Sequence, residues 1–138
     1  KFEAGTQRVS QAVAFAAAVR YLQHLGMENV EAWEHELGAR LVEGVQKIEG
    51  VRLLGPTDPA QRAGLVALAI DGVHPHDVGQ LLDTQGIAVR VGHHCAQPLH
   101  RCAGVTASTR ASTYIYNTTE DVDAFLKALA EVRPYFGL

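Results

Sequence analysis

The stretch IAVRVGHHCAQP, residues 87–98, joins a short apolar segment to a polar loop that stops at a proline. Its first five residues favour a β-strand because β-branched Ile and Val dominate them. The loop that follows places Cys95 directly after His93 and His94, and five residues after Arg90. The stretch therefore predicts a strand that leads into a cysteine-containing, cationic loop.

Further elements are predicted on both sides of this strand. Short apolar runs at 51–54 and 65–70, bounded by Gly, Pro and Asp, indicate two buried strands, and a β-branched, alternating stretch at 109–116 indicates another. The order helix, helix, strand, strand, helix, strand, strand, helix predicts a mostly antiparallel sheet with helices packed on one face, an α+β fold. The helices are expected at residues 10–25, 30–48, 76–85 and 118–134.

The helical segments differ in their apolar patterns. Residues 12–19 of the first helix are apolar on every side, and such a helix is normally buried all round, so we expect it to pack against another domain or a second subunit. Thr118 and Asp121 resemble a capping box at the start of the last helix. The second helix has an amphipathic pattern, with apolar residues at three- and four-residue spacing: Trp33, Leu37, Leu41, Val45 and Ile48.

Composition excludes several functional classes. The 138 residues, 47% hydrophobic and 20% charged, suit one compact globular domain, and a net charge of −3 provides no basic stripe for nucleic acid. No apolar stretch approaches the ~20 residues that span a bilayer, and no signal peptide is expected at the start. Two cysteines in a chain of this size indicate a reducing compartment, so we expect a cytoplasmic protein.

Cys95 is the first candidate for chemistry. Positive charge near a cysteine favours its thiolate, the form that acts as a nucleophile or redox group. The alternative is that Cys95 is a small buried residue without a chemical role. Cys102 has no flanking histidine pair, and we interpret it as structural.

A metal site is a second interpretation of the same region, because five possible ligands fall within ten residues. Structural zinc sites usually present paired ligands two to four residues apart, whereas neighbouring side chains in an extended segment point to opposite faces. We therefore expect no metal here. The five candidates are His93, His94, Cys95, His100 and Cys102.

Two other positions could bind anionic groups. Arg110, at the start of the fourth strand, could clamp a substrate carboxylate through parallel hydrogen bonds, or it could be solvated or ion-paired. Residues 3–6 precede the first helix, where backbone N–H groups and the Thr6 hydroxyl could bind a phosphate, or where they could simply cap the helix.

Taken together, four segments resemble the C-terminal part of a cysteine desulfurase, and more narrowly the group II enzymes of the SUF iron–sulfur assembly system. The resemblance covers the whole chain and implies the small domain of a homodimeric, fold-type I pyridoxal phosphate (PLP) enzyme. It implies one C-terminal domain over 1–138, with residues 1–26 joining the PLP domain and 27–138 forming the small α+β domain. The segments are FEAGT (2–6), RVGHHCAQP (90–98), TRAS (109–112) and YNT (116–118).

The resemblance also implies residue roles. Cys95 would attack the sulfur of PLP-bound L-cysteine, releasing L-alanine and leaving a persulfide that passes to a sulfur-acceptor protein of the SUF pathway. Arg110 would bind the substrate carboxylate, and Thr6 would bind the PLP phosphate of the partner subunit. The residues that would support the cysteine loop are Arg90, His93 and His94.

The sequence departs from the family at its lysines. Family members bind PLP through a lysine that follows a Ser-x-His motif, which is absent here, and none of Lys1, Lys47 and Lys127 is in such a context. We therefore expect a C-terminal fragment that neither binds PLP nor turns over cysteine by itself. The alternatives are a selenocysteine lyase of the same fold, or a non-enzymatic module that binds a metal or a partner through its His and Cys residues.

Overall fold

The computed structural model of the chain describes residue 2 and residues 5–138. Lys1, Glu3 and Ala4 lie outside these residues. The prediction that the backbone at 3–4 binds a phosphate, and the statement that Lys1 is not a PLP-binding lysine, therefore concern residues that the structure does not describe. The chain divides into two compact units, the first ending at Ala32 and the second comprising Trp33–Leu138. No helix among the described residues is long and apolar enough to cross a membrane.

The first unit contains helix α1 (Val9–Leu25). The helix ends at Gly26, whose φ of 86° lies in the left-handed region and whose N–H donates to the carbonyl of Gln23. This confirms the predicted helix and its glycine stop. No residue of α1 is buried, and Phe15 is 72% exposed.

The second unit is built on a four-stranded sheet in the order β1-β2-β4-β3, in which every neighbouring pair is antiparallel. The α+β architecture with an antiparallel sheet is thus confirmed. The strands are β1 (Val51–Leu54), β2 (Leu65–Ile70), β3 (Arg90–Gly92) and β4 (Ser108–Ser112). The helices are α2 (Met27–Gln46, in this unit from Trp33 onward), α3 (Pro75–Thr84), α4 (Gln97–Cys102), α5 (Thr119–Ala130) and α6 (Val132–Tyr135).

One face of the sheet forms the hydrophobic core. Pairing of Leu68 with Thr109 and of Val66 with Ala111 places these four residues on the same face, against helices α2, α3 and α5. The stripe expected on α2 is buried here, since Leu37, Leu41 and Val45 are fully enclosed. Other core residues are Val42, Ile70, Val78, Leu82, Val122, Phe125, Leu129 and Val132.

The opposite face of the sheet is polar and partly covered by α4. Arg110 pairs with Ala67 on one side and with Arg90 on the other, so all three lie on this face. The imidazole of His100 on α4 reaches Ser108, which shares the face with Arg110. Helix α4 is not anticipated by the sequence analysis, and it is the element that encloses this part of the polar face.

Several element bounds differ from those predicted. Strand β3 begins at Arg90 rather than at 87, because Ile87 N–H still bonds to the carbonyl of Leu82 at the end of α3. Strand β4 stops at Ser112 rather than at 116, since the amide of Tyr114 donates to the Asn117 side chain in a turn.

The helical segments also differ from prediction at their ends. The last helical segment is broken at Glu131 into α5 and α6. Lys47 lies in the turn after α2 rather than on a helix.

The predicted capping box at α5 is present. The Thr118 hydroxyl accepts from the Asp121 amide at 3.3 Å, and the Asp121 carboxylate accepts from the Thr118 amide at 3.0 Å. We expect Thr118→Ala to lower the free energy of unfolding by about 1 kcal/mol, because one helix N–H loses its acceptor. Urea denaturation measures the change, and Thr119→Ala is the matched control. Equal stability of the Thr118→Ala and Thr119→Ala variants would contradict a role for the cap.

Candidate active site

A tight turn between β3 and α4 carries Cys95. The Ala96 amide donates to the carbonyl of His93 at 2.8 Å, closing a four-residue turn whose central residues are His94 and Cys95. Their φ values are 53° and 60°. One such hydrogen bond and two positive φ angles are the features of a type I′ turn, a position that normally selects Asn and Gly.

This turn stores backbone strain. A side chain in the left-handed region costs on the order of 1–2 kcal/mol, and glycine alone adopts it freely. Among the described residues, His94 and Cys95 are the only non-glycine residues with positive φ. Strain of this kind persists only where neighbouring structure enforces it, and it is concentrated at functional sites.

The Cys95 thiol is exposed and unpaired. It forms no disulfide with Cys102, which is also free and exposed. The Arg90 guanidinium approaches the Cys95 sulfur, with Nη2 3.7 Å from Sγ. The expectation that Cys95 would be buried if it had no chemical role does not hold, because the residue is exposed, and its chemical role stays a prediction. Cys102, predicted to be structural, is also exposed, at the end of α4.

Arg90 and Arg110 lie directly opposite one another on adjacent strands. Like charges in this position repel, and among the described residues neither guanidinium forms an ion pair with a carboxylate. The Nε of Arg110 is in addition buried without a hydrogen-bond acceptor. A buried donor without a partner is costly, so this pair of arginines is suited to an anionic ligand such as a carboxylate.

His94 is hydrogen-bonded to Ser108 of the polar face, which in turn contacts His100 of α4. Its Nε2 lies 2.9 Å from the Ser108 hydroxyl oxygen, and Nε2 of His100 lies 2.9 Å from the same oxygen. His100 is buried, and its Nδ1 lies 3.0 Å from the carbonyl oxygen of Ala96. The rings of His93 and His100 are in edge contact, with centroids 5.7 Å apart.

The surroundings of His94 disfavour its charged form. Desolvation lowers the pKa of His94 below the usual histidine range, and the positive charges of Arg110, His100 and Arg90 lower it further. His94 is therefore a neutral imidazole near pH 7. Its Nδ1 is buried and has no hydrogen-bond partner among the described residues.

The remaining predicted site residues belong to other elements. Thr6 belongs to the first unit, where it is exposed before α1. The described lysines, Lys47 and Lys127, are both exposed and lie on other elements. No group of three or more His, Cys, Asp or Glu residues among those described is arranged to bind a metal ion.

The sequence analysis selected five residues that the structure places on or around the polar face. They are Arg90, His93, His94, Cys95 and Arg110. Ser108 and the position of His100 were not predicted. The signal that could have identified Ser108 is the two-residue period of a strand, which puts it on the same face as Arg110.

Fold and site together describe an α+β domain with an exposed loop cysteine beside an arginine pair. The chain belongs to the aminotransferase class-V family, whose profile matches residues 1–125. It is 50% identical over 137 residues to a probable cysteine desulfurase 2 of Mycobacterium leprae, covering 99% of this chain and 33% of the relative. A probable cysteine desulfurase of Halalkalibacterium halodurans is 47% identical over the same length, with 33% of it covered.

Solved structures of cysteine desulfurases contain a region with the same fold as this chain. The apo structure of a cysteine desulfurase from Thermococcus onnurineus superposes with a TM-score of 0.90 at 40% identity, over 99% of this chain and 34% of that one. The Escherichia coli cysteine desulfurase CsdA, in an S-sulfonic acid form, gives a TM-score of 0.87 at 35% identity, over 96% of this chain and 32% of that one. The chain thus spans about a third of the length of its relatives.

These matches confirm the resemblance to cysteine desulfurases that the motifs carried. Assignment to the SUF-type group II stays a prediction, as do the roles of individual residues and the division of the chain at residue 26.

The strain in the turn has a measurable consequence. We expect Cys95→Gly to raise the free energy of unfolding by about 0.5–1 kcal/mol, because glycine removes a left-handed strain larger than the chain entropy it adds. Cys102→Gly, at the end of α4, is the control and is expected to lower stability by about 0.5–1 kcal/mol, since it only weakens a helix. Chemical denaturation compares the two, and a loss of stability in both would contradict strain at Cys95.

The lowered pKa of His94 predicts the direction in which the stability of the chain changes with pH. As pH falls, the unfolded chain takes up a proton at this histidine near pH ~6.5, before the folded chain does, so His94 contributes to a loss of stability on acidification below that pH. We expect the NMR titration of the His94 ring to have its midpoint below ~6.5. In Arg110→Gln the midpoint should rise, because one repelling charge is lost. A midpoint at or above that value in the unaltered chain would contradict the desolvation argument.

Proposed function

We propose that this chain is the C-terminal part of a PLP-dependent cysteine desulfurase in which Cys95 takes sulfur from L-cysteine. The observation that carries the proposal is the free, exposed thiol of Cys95 at the centre of a strained turn, 3.7 Å from the Arg90 guanidinium. Two relatives that match 99% of the chain are named as probable cysteine desulfurases, and this supports the proposal.

The sulfur transfer balances with the groups named. The Cys95 thiolate forms an S–S bond to the substrate sulfur while the Cβ–S bond of L-cysteine breaks. The electron pair of the broken bond leaves with the carbon, which takes up a proton to complete L-alanine. Both sulfurs are oxidised as the carbon is reduced, and Cys95 is left as a persulfide.

Arg90 is the cationic residue next to the thiol of Cys95. Its guanidinium contacts the sulfur and is placed to hold negative charge that develops there during the transfer. His94, being neutral, adds no further charge at the turn, and together with His93 it holds the backbone from which the thiol projects. These three residues are thus proposed to position and activate Cys95.

Arg110 is proposed to bind the substrate carboxylate. Its buried Nε–H lacks an acceptor within the described residues, and a carboxylate would supply one. Because Arg90 faces Arg110 across the strand pair, the bound carboxylate would also relieve the repulsion between the two guanidinium groups. The substrate would then lie on the polar face that Cys95 borders.

The cofactor site is proposed to be completed by parts of the enzyme beyond this chain's own residues. When bound, PLP withdraws electrons from the substrate and makes its C–S bond labile. Thr6 would contribute a hydroxyl to the phosphate of the PLP held by the partner subunit. Residues 1–26 would join the PLP domain, 27–138 would form the small domain, and the 138-residue chain alone would not turn over L-cysteine.

The wider setting is also part of the proposal. The persulfide on Cys95 would pass to a sulfur-acceptor protein of the SUF pathway for iron–sulfur cluster assembly. The enzyme would be a group II, homodimeric, cytoplasmic desulfurase. Exposure of the Cys95 thiol supports transfer to a protein acceptor, since a macromolecular thiol must reach the sulfur.

The test uses the whole PLP-loaded enzyme and measures L-alanine formed from L-cysteine. We expect Cys95→Ser to reduce the rate at least about 100-fold, because the sulfur loses its acceptor. Cys102→Ser is the matched control, a second exposed cysteine seven residues away, and should retain activity. Mass spectrometry after a single turnover should find the added sulfur on Cys95.

Two outcomes would reject the proposal. If Cys95→Ser keeps full activity with L-cysteine, the nucleophile is elsewhere. If the unaltered enzyme turns over selenocysteine but not L-cysteine, it is a selenocysteine lyase of the same fold, and loss of Cys95 should then have little effect.

A further inference from the structure

The hydrogen-bonding groups around Ser108 leave little freedom in where their protons sit. The carbonyl oxygen of Ala96 can only accept, so Nδ1 of His100, 3.0 Å away, must donate to it. A neutral imidazole holds one N–H, so in that form of the ring Nε2 of His100 carries no proton and must accept. Within residues 5–138, the donor that faces this nitrogen is the hydroxyl of Ser108, 2.9 Å away.

The same reasoning extends to His94. Once the Ser108 hydroxyl proton points to His100, its oxygen offers lone pairs to Nε2 of His94, also 2.9 Å away. That nitrogen must therefore carry a proton. A neutral imidazole holds one N–H, so Nδ1 of His94 is left bare, in agreement with its lack of a partner among the described residues.

We propose that Ser108, oriented by His100, is a positioning residue that fixes His94 with Nε2 protonated and Nδ1 as a free hydrogen-bond acceptor. The relay runs from the Ala96 carbonyl through His100 and Ser108 to His94. Ser108 shares a strand face with Arg110, so acceptor and guanidinium belong to one side of the sheet. A ligand with a carboxylate for Arg110 and an N–H or S–H donor, as in an amino acid, matches this pair.

The relay depends on groups that face it from three elements. His100 lies on α4, Arg110 on β4 and Arg90 on β3, and desolvation together with the charges of the two guanidinium groups disfavours a second proton on His94. This keeps the imidazole neutral, which the assignment of one proton to each ring requires. The proposal concerns only the ring protons of this chain, and so it can fail while the proposed desulfurase activity holds, or the reverse.

The test is the ¹⁵N NMR spectrum of the histidine rings in the 138-residue chain at about pH 8, where histidines are neutral. We expect a protonated Nε2 and a bare Nδ1 in His94, and the opposite tautomer in His100. The two ring protons should exchange slowly with water. Ser108→Ala should accelerate exchange of the His94 Nε2 proton at least tenfold, because the hydroxyl that accepts from it is gone and the Ser108 backbone remains as its partner.

Matched variants separate positioning from general damage. Ser112→Ala removes a hydroxyl from the same strand and should leave both rings unchanged. Ser108→Thr keeps the hydroxyl and should restore slow exchange in any preparation whose backbone amide spectrum is native. The proposal is overturned if His94 carries its proton on Nδ1, if His100 carries its proton on Nε2, or if Ser108→Ala leaves the exchange rate unchanged.

Discussion

The antiparallel register of β3 and β4 is the constraint on which the site depends. Val91 pairs with Thr109 on the core face, while Gly92 pairs with Ser108 and Arg90 with Arg110 on the polar face. A slip of one residue would turn Arg110 into the hydrophobic core, where its charge would be desolvated without a partner. The apolar partners of β4 in β2, which face the core helices, prevent that slip. Core packing thus determines which side chains are available for chemistry.

The same register sets the path of the cysteine turn. Strand β3 has only three residues and ends at Gly92, whose φ of 113° excludes most other residues. The chain must then reverse and enter α4, which returns over the polar face so that His100 meets Ser108. The reversal takes only four residues, and it requires a left-handed backbone conformation at two residues that carry side chains, His94 and Cys95. The turn is therefore tight because both of its ends are anchored to the same strand.

Much of the fold follows from local sequence, and most of the site geometry does not. Strands β1 and β2 match their predicted bounds because Gly, Pro and Asp interrupt apolar runs on both sides. The cap at Thr118 is likewise a local signal. By contrast, α4 has six residues and no apolar periodicity to reveal it, and His-Cys is not a turn sequence. Nothing local shows that Ser108 and His100 meet, since α4 brings them together.

The backbone strain in the cysteine turn and the positions of the ring protons of His94 and His100 have one structural origin. Ala96 closes the turn through its amide, which donates to His93, and it anchors the relay through its carbonyl, which accepts from both the amide and Nδ1 of His100. The turn that holds Cys95 and the side chain of His100 are thus both hydrogen-bonded to Ala96. Exposure of a thiol requires neither a left-handed turn nor these hydrogen bonds, since Cys102 is exposed at the end of a helix. What distinguishes Cys95 is its place in a left-handed turn whose closing residue, Ala96, also binds His100.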